Sequence, residues 1–104
     1  MLCVLAMLRI TQVVESTGRI TLSMEGNLDA EFVSLLEHQC ASLLVGRKKI
    51  RIELRAVLFV DRAGIEALAR LGRSGVEICC RPGVVASVLE SEGIGVTLVS
   101  SNAW

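Results

Sequence analysis

Residues 53–68 read E-L-R-A-V-L-F-V-D-R-A-G-I-E-A-L. An apolar, strand-like run ends at Val60, an acid follows, and after Arg62-Ala63-Gly64 the apolar spacing turns helical. A chain that passes so abruptly from strand to helix must leave a sheet and fold back over it, which points to the α/β class. The passage also sets a loop at the entrance to a helix, where unpaired N–H groups point outward and the local potential is positive. A phosphate, a regulatory phosphoserine or a partner carboxylate suits such a place. Arg62 and Ala63 stand at this turn, and neither offers a hydroxyl to phosphorylate.

The rest of the chain repeats the same alternation. Leu8 to Val14 is rich in β-branched residues, and Glu15-Ser16-Thr17-Gly18 is turn chemistry. From Arg19 to Glu25, Ile20, Leu22 and Met24 alternate with polar residues, so the pair reads as a hairpin. Gly26-Asn27 reads as the end of that strand, with Asn27 or Asp29 capping the next helix. Leu28, Phe32, Leu36, Cys40 and Leu43 recur at helical spacing, which predicts a long amphipathic helix from Leu28 to Val45. Gly46 stops it, with Arg47, Lys48 and Lys49 near its negative end. A strand follows, with Ile50, Ile52 and Leu54 on one face and Arg51, Glu53 and Arg55 on the other. After the loop, Ile65, Leu68 and Leu71 fit a second helix that ends at Gly72 or Gly75. Val76 to Cys80 reads as a strand, Pro82 opens a third helix, and Thr97 to Val99 forms a last edge strand.

The predicted order is ββαβαβα, then β, which calls for parallel pairing across the helical connections. A sheet covered by helices on both faces would carry near-continuous apolar strands, whereas these alternate. The expected fold is therefore α/β: a mixed four- to five-stranded sheet with its helices mainly on one face. Arg19, Thr21, Ser23, Glu25, Arg51, Glu53 and Glu77 would line the other face. At 104 residues the chain makes one domain around one core. Residues 1–7 would add an N-terminal strand, and residues 99–104 would form a tail.

Composition narrows the function classes. Net charge is zero, which argues against a nucleic-acid partner, since that needs a basic surface. One Trp, two Phe and no Tyr leave little for base stacking. The apolar start, Met1 to Leu8, is far shorter than the roughly 20 residues that span a bilayer, so no membrane insertion is expected. Cys3, Cys40, Cys79 and Cys80 include no C-x-x-C pair, and His38 is the sole histidine, so no metal site is predicted. Reduced, part-buried cysteines in a cytoplasmic protein are the simpler reading. His38 has no nucleophile or orienting acid arranged with it, and no paired carboxylates or Gly-rich phosphate loop occur, so no catalytic residue, enzyme activity or cofactor is expected.

Four motifs, in order, resemble the STAS family of sulphate-transporter tails and bacterial anti-sigma factor antagonists. Gly26-Asn27-Leu28-Asp29 is similar to that family's G-x-L-D before its first helix. Ile52-Glu53-Leu54 resembles its strand ending in D-L, and Phe59-Val60-Asp61-Arg62-Ala63-Gly64-Ile65 its F-[IV]-D-S-[ST]-G-[LI]. Arg81-Pro82-Gly83 and Leu89-Glu90-Ser91-Glu92-Gly93-Ile94 resemble its third-helix segment. The match runs from about Leu8 to Leu98.

The resemblance implies a non-enzymatic interaction module that binds an anti-sigma factor kinase-like protein through Asp29, Asp61, Arg62, Ala63, Gly64 and Ile65, and so regulates transcription. In phosphoregulated members a hydroxyl residue stands just before the glycine; here it is Ala63, so no phosphorylation is expected at the switch position. The alternative it implies is an accessory subunit on the ATPase of a lipid-transporting ABC complex. Read from the residues themselves, Asp61 and Asp29 serve first as helix caps, and Gly64 permits close approach of helix and strand. Arg62 opposes the helix dipole, which leaves it as a solvated arginine or as a contact for an acidic partner or an anion. Self-association through the apolar N-terminal segment or the half-polar sheet face, giving a homodimer, is a further expectation.

Overall fold

The computed structural model describes residues 8–46 and 49–99. Eight elements follow one another: β1 (Leu8–Val14), β2 (Ile20–Leu28), α1 (Ala30–Val45), β3 (Ile50–Val60), α2 (Arg62–Arg73), β4 (Glu77–Cys80), α3 (Val84–Ser91) and β5 (Thr97–Leu98). The expectations for residues 1–7, for Arg47-Lys48, for residues 100–104 and for the Phe32 side chain lie outside the described part.

The strands form one sheet in the order β1-β2-β3-β4-β5. The β1–β2 hairpin is antiparallel, and each strand that follows a helix pairs parallel with its neighbour. This is a mixed, five-stranded α/β domain. No helix among the described residues is long and apolar enough to cross a membrane.

Alternation decides which face carries the core. Ile20, Leu22 and Met24 of β2, Ile50, Ile52 and Leu54 of β3, and Ile78 and Cys80 of β4 join one buried cluster. The same cluster takes Val33, Leu36 and Cys40 from α1, Leu68 and Leu71 from α2, and Ala86 and Leu89 from α3. All three helices thus bury their apolar stripes on one side of the sheet, as the alternating strands require.

Among the described residues no helix covers the opposite face, yet it is not bare. Register aligns Thr21, Arg51 and Glu77 across three strands, and Ser23, Glu53, Cys79 and Thr97 across four. Arg19 grips Glu15 through both carboxylate oxygens, at 3.0 and 2.9 Å, and its other nitrogen lies 3.6 Å from Glu77. Thr21 donates to the same Glu15 carboxylate. Arg51 Nε lies 3.0 Å from Cys79 Sγ and 3.5 Å from Glu53. Thr21, Ser23 and Cys79 are buried on this face, next to these ion pairs and hydrogen bonds.

Several boundaries differ from the sequence reading; β4 starts at Glu77 and β5 ends at Leu98, each one residue inside the expected range, and three others bear on the site. First, β2 does not stop at Gly26-Asn27 but runs to Leu28, because its parallel partner β3 continues beside it to Val60. The helix accordingly starts at Ala30, and Leu28 is a strand residue. Second, of the two stops expected for α2, Gly72 lies inside the helix, which runs to Arg73, and the turn comes at Gly75, whose φ of 97° suits glycine. Third, α3 begins at Val84 and not at Pro82; Gly83, at φ 152°, breaks the backbone before it.

Strand β3 also holds two irregularities that alternation did not foresee. Ser23 to Glu25 is two steps in β2 but three, Glu53 to Ala56, in β3; Gly26 to Asn27 is one step against two, Val57 to Phe59. Each extra residue is a bulge. Core contacts therefore pass from Leu54 to Val57 and then to Val60, and Leu58 and Phe59 are turned outward.

Two outcomes check this packing. Leu68→Ala removes a fully buried side chain and is expected to cost roughly 3 kcal/mol, while the exposed Leu35→Ala changes stability by no more than about 0.5 kcal/mol; denaturant unfolding measures both. Cys40 is fully buried in the core, and burial pushes its thiol up from 9.0 to about 11. A raised folded-state value leaves stability intact below the unfolded value and removes it as pH rises toward the folded one. The stability difference between wild type and Cys40→Ala is expected to shrink between pH 9 and about 11 and to be constant below that window.

Candidate functional site

The loop between β3 and α2 is built around one carboxylate. Asp61 has extended backbone dihedrals (φ −86°, ψ −178°), and its Oδ1 accepts the Gly64 N–H at 2.8 Å. This is an N-cap of the expected kind. Its other oxygen, Oδ2, accepts the Ala30 N–H at 3.0 Å, which belongs to the first residue of α1. One side chain thus caps two helices whose first residues are far apart in sequence. The Asp61 N–H in turn donates to the Leu28 carbonyl at 3.1 Å and closes the parallel ladder.

Asp29 sits beside this junction. Its carbonyl accepts the Val33 N–H at 3.1 Å, and Asp61 brings a side-chain oxygen to the same helix start. The Asp61 carboxylate brings the N-termini of α1 and α2 together and so sets Asp29, Asp61 and Arg62 at the same end of the sheet.

Gly64 has a steric role. A Cβ there would lie 2.6 Å from the Leu28 carbonyl oxygen and 2.8 Å from Val60 Cγ1. Neither distance is tolerable, and the first neighbour is backbone, which cannot rotate away. Ile65 is buried in the core and Ala63 packs partly against it. Of the residues expected to face a partner, Gly64 and Ile65 therefore serve packing. Arg62 is exposed, and Asp29, Asp61 and Ala63 are half-buried.

Arg62 has a partner that the sequence did not suggest. Its guanidinium forms a fork with Glu92, at 2.8 and 3.2 Å. Glu92 is the C-cap residue of α3, and Arg62 is the first residue of α2. Each charge opposes the dipole of its own helix end, and each is placed to complement the other. The hydrogen bond from Arg62, with its charge, holds the Glu92 carboxyl below its ordinary range, and Glu92 raises Arg62 in the same way. A second fastening ties α2 to α1, where Arg70 Nε donates to Glu37 at 2.8 Å.

The remaining chemistry-bearing side chains are scattered. His38 is exposed on α1, away from the loop, and Cys40, Cys79 and Cys80 are buried. Burial raises the thiols of Cys79 and Cys80. Compared with protein-family models and with curated proteins, the chain matches none. The site consists of two helix N-termini joined through one carboxylate, with one exposed arginine beside them.

If Asp61 caps both helices, Asp61→Ala is expected to cost about 2 kcal/mol, more than a single cap contributes, and Asp61→Asn to keep part of that. Gly64→Ala is expected to cost roughly 1–3 kcal/mol through overpacking. Arg62→Glu breaks the exposed fork with Glu92 but suits the dipole at the start of α2, and is expected to cost no more than about 1 kcal/mol. Thermal and denaturant unfolding of the four variants measure these outcomes.

Proposed function

We propose that this chain is a non-enzymatic protein-interaction module of the STAS type, acting in the cytoplasm of a bacterium. It binds a regulator such as an anti-sigma factor through Arg62, the exposed flank of α2 and Asp29. The observation that carries this reading is the Asp61–Ala30 hydrogen bond. It ties the loop at 61–65 to the start of α1, next to Asp29, and these are the two places that the family resemblance assigns to partner binding. Preorganised surfaces lose less entropy on association, which suits constitutive docking.

Ala63 occupies the position where phosphoregulated members carry a hydroxyl. Binding here is controlled by partner abundance or at another site, not by a kinase acting on this loop. The same alanine favours a second reading, an accessory subunit on the ATPase of a lipid-transporting ABC complex, where no switch is required.

The experiment is an affinity pull-down of wild type beside Arg62→Glu, read by mass spectrometry, with folding checked by circular dichroism. Asp61→Ala is a poor choice, since it disturbs two helices. The expected outcome is a partner captured by wild type and lost by the folded variant; an anti-sigma factor supports the first reading and an ATPase with its permease the second. Unchanged capture by Arg62→Glu sinks the loop as the docking surface. Stoichiometric phosphate on the loop after incubation with a co-purified kinase would sink the unswitched mode of binding.

A further inference from the structure

The two edges of the sheet are not alike. β5 closes one side with two residues, Thr97 and Leu98, and so short a strand offers little to pair with. β1 closes the other side with seven residues in unbroken register with β2. It holds no proline, glycine, lysine or bulge, the devices that guard a strand edge, and Arg9 is its one charged residue.

Register shows which backbone groups of β1 face outward. The Glu15 N–H donates to the Arg19 carbonyl, so these two form a hydrogen-bonded pair of the hairpin. In an antiparallel ladder such pairs recur at every second residue, which turns the backbone groups of Val13, Thr11 and Arg9 toward β2. Those of Leu8, Ile10, Gln12 and Val14 point the other way, where no strand among the described residues meets them. Residues 1–7, M-L-C-V-L-A-M, contain no Gly, Pro, Asn, Asp or Ser, so the sequence holds no tight-turn chemistry that would return them along this edge. Beside the edge, Gln12 accepts from Gln39 of α1 at 3.1 Å. These two line a depression of about 320 Å³ with Leu35, His38, Ser42 and Leu43, and among the described residues no Asp, Glu, Lys or Arg lines it. Val13, Val14 and Leu35 are 48, 65 and 55% exposed.

We propose that β1 is a dimer edge, paired antiparallel with β1 of a second copy, so that two five-stranded sheets become one. A two-fold axis normal to the sheet through Thr11 sets Leu8 opposite Val14, Arg9 opposite Val13 and Ile10 opposite Gln12. The outward backbone groups of residues 8, 10, 12 and 14 then bond one another in pairs. The helices of both copies stay on one side of the joined sheet. Charge decides the occupant. In this register Arg9 meets Val13 and not another arginine, and it stands diagonally from Glu15 of the second copy, on the same face and within reach of a long side chain. Glu15 already accepts from Arg19 and Thr21, and a carboxylate has room for a further donor. A second copy thus brings a matching edge together with an acid for Arg9, and two chains of zero net charge do not repel. β1 shares no residue with the Arg62 surface, so the dimer stands whether or not that surface docks a regulator.

Sedimentation velocity of the full chain from about 1 to 300 µM tests this, because an interface of one strand and one helix flank is small and a micromolar dimer is expected. Wild type is expected to pass from monomer to dimer over that range. Thr11→Lys sets two lysines face to face on the axis and is expected to weaken the dimer at least about tenfold. Thr11 is exposed, so the variant keeps the core, which the thermal midpoint of the dilute monomer verifies. Should it fail to fold, Val13→Lys, opposite Arg9, repeats the measurement. Thr11→Cys in a Cys3→Ser background reads the register: opposed residues of a pair without hydrogen bonds lie about 4.5 Å apart, which a disulfide spans. Mild oxidation is expected to link two copies of Thr11→Cys and not of Thr17→Cys, at the hairpin turn. A chain that stays monomeric, a dimer that Thr11→Lys leaves intact, or equal linking at both positions overturns the proposal.

Discussion

The Asp61 carboxylate is the point on which this fold turns. A parallel strand pair leaves two helix N-termini at the same end of the sheet, and each presents N–H groups that no residue of its own helix can accept. In this chain one side chain accepts from both, through Gly64 and Ala30. The approach needed for that arrangement brings the α2 backbone against Leu28, and only a residue without a Cβ fits between them. Asp61 and Gly64 are therefore one device: the acid draws the two helix starts together and the glycine allows the distance.

Charge placement extends the same logic outward. Arg62 and Glu92 each sit at the wrong end of their own helix, and together they form a link between the start of α2 and the end of α3. Arg70 and Glu37 tie α2 to α1 farther along. The helical layer is thereby stitched at its edges by polar contacts and filled between them by the apolar cluster. On the far side of the sheet, polar residues do a different job. Glu15, Arg19, Thr21, Arg51, Glu53 and Cys79 satisfy one another closely enough to bury strand positions that no helix covers. A hydrogen-bonded layer of this kind lets a half-covered sheet remain ordered.

Strand β3 is where local irregularity becomes surface. Had it continued in strict alternation, every second residue past Leu54 would have faced the core. The two bulges stretch that rhythm, keep Val57 and Val60 inside, and leave Leu58 and Phe59 bare next to α3. Because β4 is short, these bare side chains lie along a stretch of β3 that no other described strand pairs on that side.

Much of this was legible in the residues. Alternation in Ile20–Met24 and Ile50–Leu54 gave the strands and their inner face, because a side chain in a strand has only two directions to point. Helical spacing in α1 and α2 gave the helices, and the polar partners of the alternating strands gave the uncovered face. Asp61 as a cap and Gly64 as a close-approach residue followed from local chemistry. What the sequence could not supply were contacts between residues distant along the chain. The second cap on Ala30, the Arg62–Glu92 fork and the bonding of Arg51 to Cys79 depend on how strands and helices come to rest beside one another. The extension of β2 through Gly26-Asn27 and the outward turn of Leu58 and Phe59 depend on the register between two strands. Periodicity fixes which way a side chain points along its own element; which element it meets is settled only when the sheet assembles, and that is where tertiary structure decided.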